Sequence, residues 1–393
     1  MATTAETMRR YSGPTLFSFG FRPFFLFGAV WAALAVPIWI ASFIVGDGTI
    51  GANDGRTWHV HEMLFGHLGA VIAGFLLTAV PNWTGRLPVV GGGLAGLFAL
   101  WLAGRIAGFA PASWAIPAAV VDSAFLIVFA GFVWREVIAA GNRRNLPVCV
   151  MATVLALANI AFHQRGAWPM IGPVADRAAV AVIVGLIALI GGRVTPSFTL
   201  NWTMAQGIAA RPAAFGGFDK VTLALTAIAL SAWVVTPFAP IAGGLLLSVG
   251  VLNAIRLWRW RGWLARREAL VWILHAGYAW VAIGLILLGL AALTPSVVPL
   301  TAGIHALTAG SMGVMTLAMM TRATRGHTGR TRVADKATTT IYALILLAAL
   351  IRVCAAFHMA WQPALLGVSA ALWTLAFAGF ALVYGPLLLR RSL

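Results

Sequence analysis

Long apolar blocks, separated by short polar ones, run from residue 13 to the end of the chain. A helix needs roughly 20 apolar residues to cross the hydrocarbon layer of a membrane. Read at that length, the blocks predict twelve spans, near 20–44, 60–81, 89–110, 113–134, 146–163 and 174–192, then 219–236, 239–256, 268–293, 297–321, 338–358 and 364–389. Gly and Pro inside them are ordinary for membrane helices and interrupt none outright. The first twelve residues are polar, and the apolar run that follows has no small-residue cleavage site. That run is expected to be a first membrane helix and not a signal peptide. The expected fold is an all-α membrane protein in one polytopic domain, residues 1–393.

Composition agrees. Hydrophobic residues make up 61% of the 393 and charged residues only 9%, against about 25% charged in a soluble domain. The net charge of +17 raises the question of nucleic acid. No recognition module or aromatic–basic interleave accompanies it, and the arrangement of the charges has another cause. Of the 27 Lys and Arg, 22 fall in the N-terminus and alternate loops, four (Arg56, Arg105, Arg165, Arg177) in the opposite loops, and Arg352 inside a span. That split is a positive-inside signal. It predicts an inner-membrane protein with both termini cytoplasmic and an even number of spans. Cys149 and Cys354 each lie in an apolar run and form no CxxC pair, so neither a disulfide framework nor a zinc site is indicated.

Three helix ends on the basic side resemble one another: 80–86, 192–202 and 321–330. Each mixes Thr with Gly or Pro and Arg as it leaves the membrane, and the spacing is four spans each time. Twelve helices would then form three pseudo-repeated four-helix arcs. That arrangement resembles the catalytic subunit of haem–copper oxidases in architecture, which by itself establishes no function.

Candidate chemistry lies in the histidines. His59, His61, His163, His305 and His358 are expected at or near the outer ends of spans, and His67 deeper on the second. His275 belongs to the inner half of the ninth span, and His327 to a basic loop. Ionisable groups inside a bilayer are costly and usually functional, and neutral imidazole is the commonest metal ligand. The candidate metal ligands are therefore His59, His61, His305, His275, His67 and His358. His59 and His61 point about 200° apart on a helix, so they serve two faces. If 58–61 is not helical, the pair could clamp one copper. His59 shares a face with Glu62 and Met63, three and four residues on, and Glu62 is a candidate acceptor for orienting an imidazole. Met312, Met315 and Met319 form a stripe below His305 that suits packing better than ligation. Arg352 could pair with an acid or a haem propionate, and Asp122 could belong to a polar path. For His275 two explanations compete. Either it marks a second, inner site, with Arg322, Arg325 and Arg330 near anionic groups, or the ninth helix is displaced and His275 joins the outer cluster.

Several segments resemble the NnrS family. They are 20–25 (Gly-Phe-Arg-Pro-Phe-Phe), 58–66 (Trp-His-Val-His-Glu-Met-Leu-Phe-Gly), 74–85, 274–278 (Leu-His-Ala-Gly-Tyr), 305–310 (His-Ala-Leu-Thr-Ala-Gly) and 321–330. The positions matching the motifs are His59, His61, Glu62, His275, His305 and His327; Tyr278 and Arg325 fall inside the same segments as candidate supports for the ligands. His67 is less characteristic of the pattern. The resemblance implies a twelve-helix membrane protein with haem b and copper, linked to nitric oxide metabolism and relief of nitrosative stress in bacteria. The expected partners are nitric oxide or a nitrosyl species and membrane lipid; the electron donor is not indicated. The sixth and seventh spans carry no histidine, so an oxidase-type dinuclear centre is not expected. Three readings stay open: a protein that binds or turns over nitric oxide, a transporter of a metal or metal–nitrosyl complex, and a haem-bearing sensor.

Overall fold

The computed structural model describes residues 11–45 and 48–391. They form twelve main helices: α1 (Phe21–Val45), α2 (Gly55–Thr84), α3 (Gly91–Ala107), α4 (Ala115–Ala139), α5 (Leu146–His163) and α6 (Ile171–Ala205), then α7 (Gly217–Val235), α8 (Pro240–Arg259), α9 (Ala269–Leu293), α10 (Leu300–His327), α11 (Lys336–Cys354) and α12 (Gln362–Leu389). Eleven are long and apolar enough to cross a membrane, and α3 is a shorter apolar helix. The chain is a multi-pass, all-α membrane protein. The strands described are the two-residue pair β1 (Thr49–Ile50) and β2 (Asn53–Asp54), which are antiparallel.

Each of the twelve expected spans has its helix, but several ends differ. α6 runs on to Ala205 and α10 to His327, well past 192 and 321, where polar residues begin. The reason is a buried stripe of threonines. Thr195, Thr199 and Thr203 recur every four residues on one face of α6 and are fully buried, as are Thr321 and Thr324 on α10. Thr199 and Thr321 each donate their hydroxyl to the carbonyl four residues back, so these polar side chains continue a helix with their hydroxyls bonded. α11 stops at Cys354, which leaves His358 exposed beyond the helix.

Three helices depart from α geometry. Glu62–His67 in α2, Ile187–Gly191 in α6 and Ala306–Met312 in α10 are π-helical. Such turns are rare and gather at functional sites. They fall on the second, sixth and tenth helices, the same three that carry the resembling ends. The period of four is thus a feature of the backbone as well as of the sequence.

The described chain divides into two compact units. The first comprises residues up to Ala179 with Ala323–Arg330 and Phe377–Leu393, and the second Val180–Arg322 with Thr331–Ala376. In the first, α1, α2, α3, α4 and α5 pack as neighbours in sequence, and Arg22 is buried, donating to the carbonyls of Leu388 (2.8 Å) and Arg390 (2.8 Å). In the second, α8 and α9 form the most extensive pair. Arg105 and Arg256, counted above with the loops, are buried side chains within these units. The remaining Lys and Arg keep the same imbalance.

Candidate metal centre

The first π turn begins where chemistry gathers. Asp54 caps α2, accepting from the Thr57 amide at 2.9 Å. About two turns later come His61 and Glu62. In a regular helix adjacent side chains diverge by about 100°. Here both enter the same buried cluster, and His61 Nδ1 lies 2.8 Å from Glu62 Oε1. The other ring nitrogen, Nε2, lies 2.9 Å from Asp122 Oδ2 of α4. That carboxylate oxygen also accepts from His163 Nε2 (3.0 Å) and from Asn159 Nδ2 (2.9 Å), both on α5. Arg105 of α3 donates one nitrogen to Glu62 and another to Asp122, and Trp31 Nε1 donates to Glu62 Oε2 at 2.8 Å. The Gly66 carbonyl, within the π turn, accepts from Trp101 Nε1 at 2.9 Å. Gly66 has no room for a side chain, because a Cβ there would collide with the Arg105 guanidinium.

Glu62, Asp122, Asn159, Arg105 and His61 are all buried, and His163 is partly so. Two carboxylates and one guanidinium leave a single negative charge when both imidazoles are neutral. A buried charge must be compensated, and one added cation does so. Both nitrogens of His61 face carboxylates. The ring is therefore either doubly protonated or free to turn Nε2 to an ion while Nδ1–H stays on Glu62. Ligand atoms of His61, Asp122 and His163 lie within 4.8 Å of one another, close enough to share one ion. Outside the membrane, Asp54 titrates below its ordinary value. Burial pushes it up, but the Thr57 hydrogen bonds and the Arg165 charge outweigh that.

The other expected site residues lie elsewhere. His59 stacks on Trp39 with ring centroids 4.2 Å apart, away from His61. Glu62 therefore serves His61 and not His59, a change of partner that the π turn explains. Met63 packs against Ile50 and Trp58. His67 is buried, with Nδ1 2.9 Å from the Gly28 carbonyl and its ring edge on Phe377. His327 ends α10 and lies against the Phe19 and Phe21 rings; Arg325 is half-buried in the same turn. In the second unit, half-exposed His305 stands just before the π turn of α10, with Nδ1 2.8 Å from the Thr301 carbonyl. Arg352 is half-buried in the last turn of α11. Tyr278 is buried, donating to Asn253 Oδ1 (2.6 Å) and accepting from Arg256 Nη1 (2.8 Å). Arg256 also donates to Asp219 and to the Ala188 carbonyl in the second π turn. His275 is buried, 2.8 Å from the Thr199 hydroxyl. Arg322 lies over the Phe198 ring at 3.8 Å.

The sequence singled out His61 and Glu62 of this cluster. It gave Asp122 no specific role, placed His163 with the outer histidines without naming it a ligand, and passed over Arg105 and Asn159. The usable signal was their polarity inside apolar runs; what joined them was helix packing, which no local pattern records.

No curated protein matches the chain. The family model described as NnrS protein matches residues 15–392, nearly the whole chain, and the protein belongs to that family.

Proposed function

We propose that the protein is a metal-dependent membrane protein of nitric oxide metabolism. Its centre is one ion, held by His61 Nε2, Asp122 and His163 in the first unit. The supporting observation is the buried cluster itself: two imidazoles and a carboxylate that converge, with one negative charge in excess when both imidazoles are neutral. A monovalent copper ion would make the cluster neutral, and imidazole suits copper. Bound there, copper would supply a coordination position for a small apolar diatomic such as nitric oxide, which partitions into the membrane. The residues around it have separable tasks. Glu62 accepts Nδ1–H of His61 and so fixes the tautomer that presents Nε2, the carboxylate–histidine–metal arrangement. Arg105 bridges Glu62 and Asp122 and offsets one of their two charges. Asn159 and Trp31 donate to the carboxylates and hold them in place.

The same packing argues against haem b at His61. The ring is enclosed by Phe65, Phe162 and His163, with centroids 4.9–5.4 Å away, which leaves space for an ion and none for a macrocycle. No step is assigned to haem. The protein works in the bacterial inner membrane with both termini cytoplasmic, as the Lys and Arg imbalance favours. Transport of a metal or metal–nitrosyl complex is the second reading. It is favoured by nothing more specific than the same histidines.

Metal analysis of purified protein tests this. Copper is expected in the wild type and lost from Asp122→Asn and His163→Ala, while His358→Ala, altered at an exposed position, keeps it. Full copper in both cluster variants would refute the assignment.

A further inference from the structure

The second unit contains a cavity of about 600 Å³ between α8 and α9, bounded at one end by the segment Gly262–Ala265. Its wall is apolar and aromatic, with Trp258, Trp263, Trp272 and Ile286 among the lining residues, and two polar side chains join them, His275 and Arg266. Sites of this size and composition, apolar with a few convergent polar groups, are the usual form of small-molecule sites.

The hydrogen-bond state of His275 follows from its neighbours. Thr199 has one hydroxyl proton, and it is donated to the Thr195 carbonyl at 2.9 Å. The tautomer with Nε2–H directed at that hydroxyl satisfies both contacts. In the neutral ring Nδ1 is left as a lone-pair acceptor. Gly262 adjoins that nitrogen, and a Cβ there would lie 2.6 Å from Nδ1 and Cγ. Only glycine fits this close against that side of the ring. The cavity therefore offers one acceptor, His275 Nδ1, and one exposed donor, Arg266, amid tryptophan.

We propose that this cavity binds the hydroquinone head of an isoprenoid quinol. One hydroxyl donates to His275 Nδ1, the other oxygen accepts from Arg266, and the tail leaves along the apolar wall past Ile286. The ring is planar and suits the tryptophans. The ligand must bring a hydrogen-bond donor, which excludes a phospholipid phosphate ester as the group at His275. A haem on Nδ1 would collide with the substituent on the adjacent ring carbon. The basic residues Arg211, Arg259 and Arg261 line a neighbouring pocket, so the cavity is not where anions are drawn. Binding alone is claimed, and it is independent of the metal centre.

Equilibrium binding of decylubiquinol and of a short-chain menaquinol to the protein in phosphatidylcholine nanodiscs tests the proposal. At least one should bind saturably. His275→Ala and Gly262→Val should weaken it about tenfold or more, the worth of one lost hydrogen bond to a buried acceptor. Arg266→Ala, altered at an exposed position, should weaken it without touching the fold. Elution in detergent as a single peak and a wild-type helical circular dichroism spectrum should be kept in all three, which reports that they fold. Equal affinity in all variants would overturn the proposal. So would failure of both quinols to bind, displacement of bound quinol by phosphatidylglycerol, or loss of haem from His275→Ala with quinol binding unchanged.

Discussion

Arg105 carries the largest consequence of any single residue. Its guanidinium spans Glu62 and Asp122, and removing it leaves two buried carboxylates facing each other. Arg105→Met is expected to destabilise by about 3–5 kcal/mol, the cost of breaking a buried pair from one side, seen as a lowered midpoint in detergent-solubilised thermal unfolding. Arg105→Lys should recover little, because one ammonium cannot fork to two carboxylates. The sequence made His61 and Glu62 legible because they stand in one motif. Arg105 and Asp122 were not, since 17 positions separate them and nothing local says that α3 and α4 bring them together. At the membrane edge Asp54 gives a pH dependence. Its folded carboxyl titrates below 3.8, so the stability it lends the start of α2 is fully present above that value. It is lost as pH falls through the lower folded value. The protection of the Thr57 amide from exchange, relative to its intrinsic rate, should fall in acid, and Asp54→Asn, which still accepts from that amide, should remove most of that dependence. A fall that is unchanged in Asp54→Asn would assign it to another group.

At the scale of elements the informative features are the three π turns. Each places the residue before it, His61, Leu186 or His305, at the same point of a repeated helix. Two of the three receive a buried arginine: Arg105 on the Glu62 side chain, Arg256 on the Ala188 carbonyl. The apolar blocks made the helices legible, and the resembling ends made the period of four legible. The π turns were not, because one extra residue in a turn leaves no mark on hydropathy. The overrun of α6 and α10 was missed for a related reason: threonine reads as polar yet buries well when its hydroxyl bonds back to the helix. Gly66→Ala tests the first π turn. The added methyl collides with Arg105, and overpacking of this kind costs about 1–3 kcal/mol. The variant should lose thermal stability and metal together. Unchanged stability and metal content would mean that the turn does not hold the cluster as described.

For the whole molecule, the twelve helices and the charge imbalance make one topology. Reporter fusions after Arg144, Arg267 and Arg332 are expected to report cytoplasm, and fusions near Gly51 and Pro295 periplasm. A cytoplasmic signal from either of the latter would break the twelve-span order. Within that frame the account stands on one ion in the first unit. X-ray absorption at the copper edge of the purified, reduced protein tests it most directly. The expected result is a centre with two imidazole nitrogens and one carboxylate oxygen, perturbed by nitric oxide and absent from His163→Ala. A copper signal unaltered in His163→Ala, or a purified protein without copper, would contradict it.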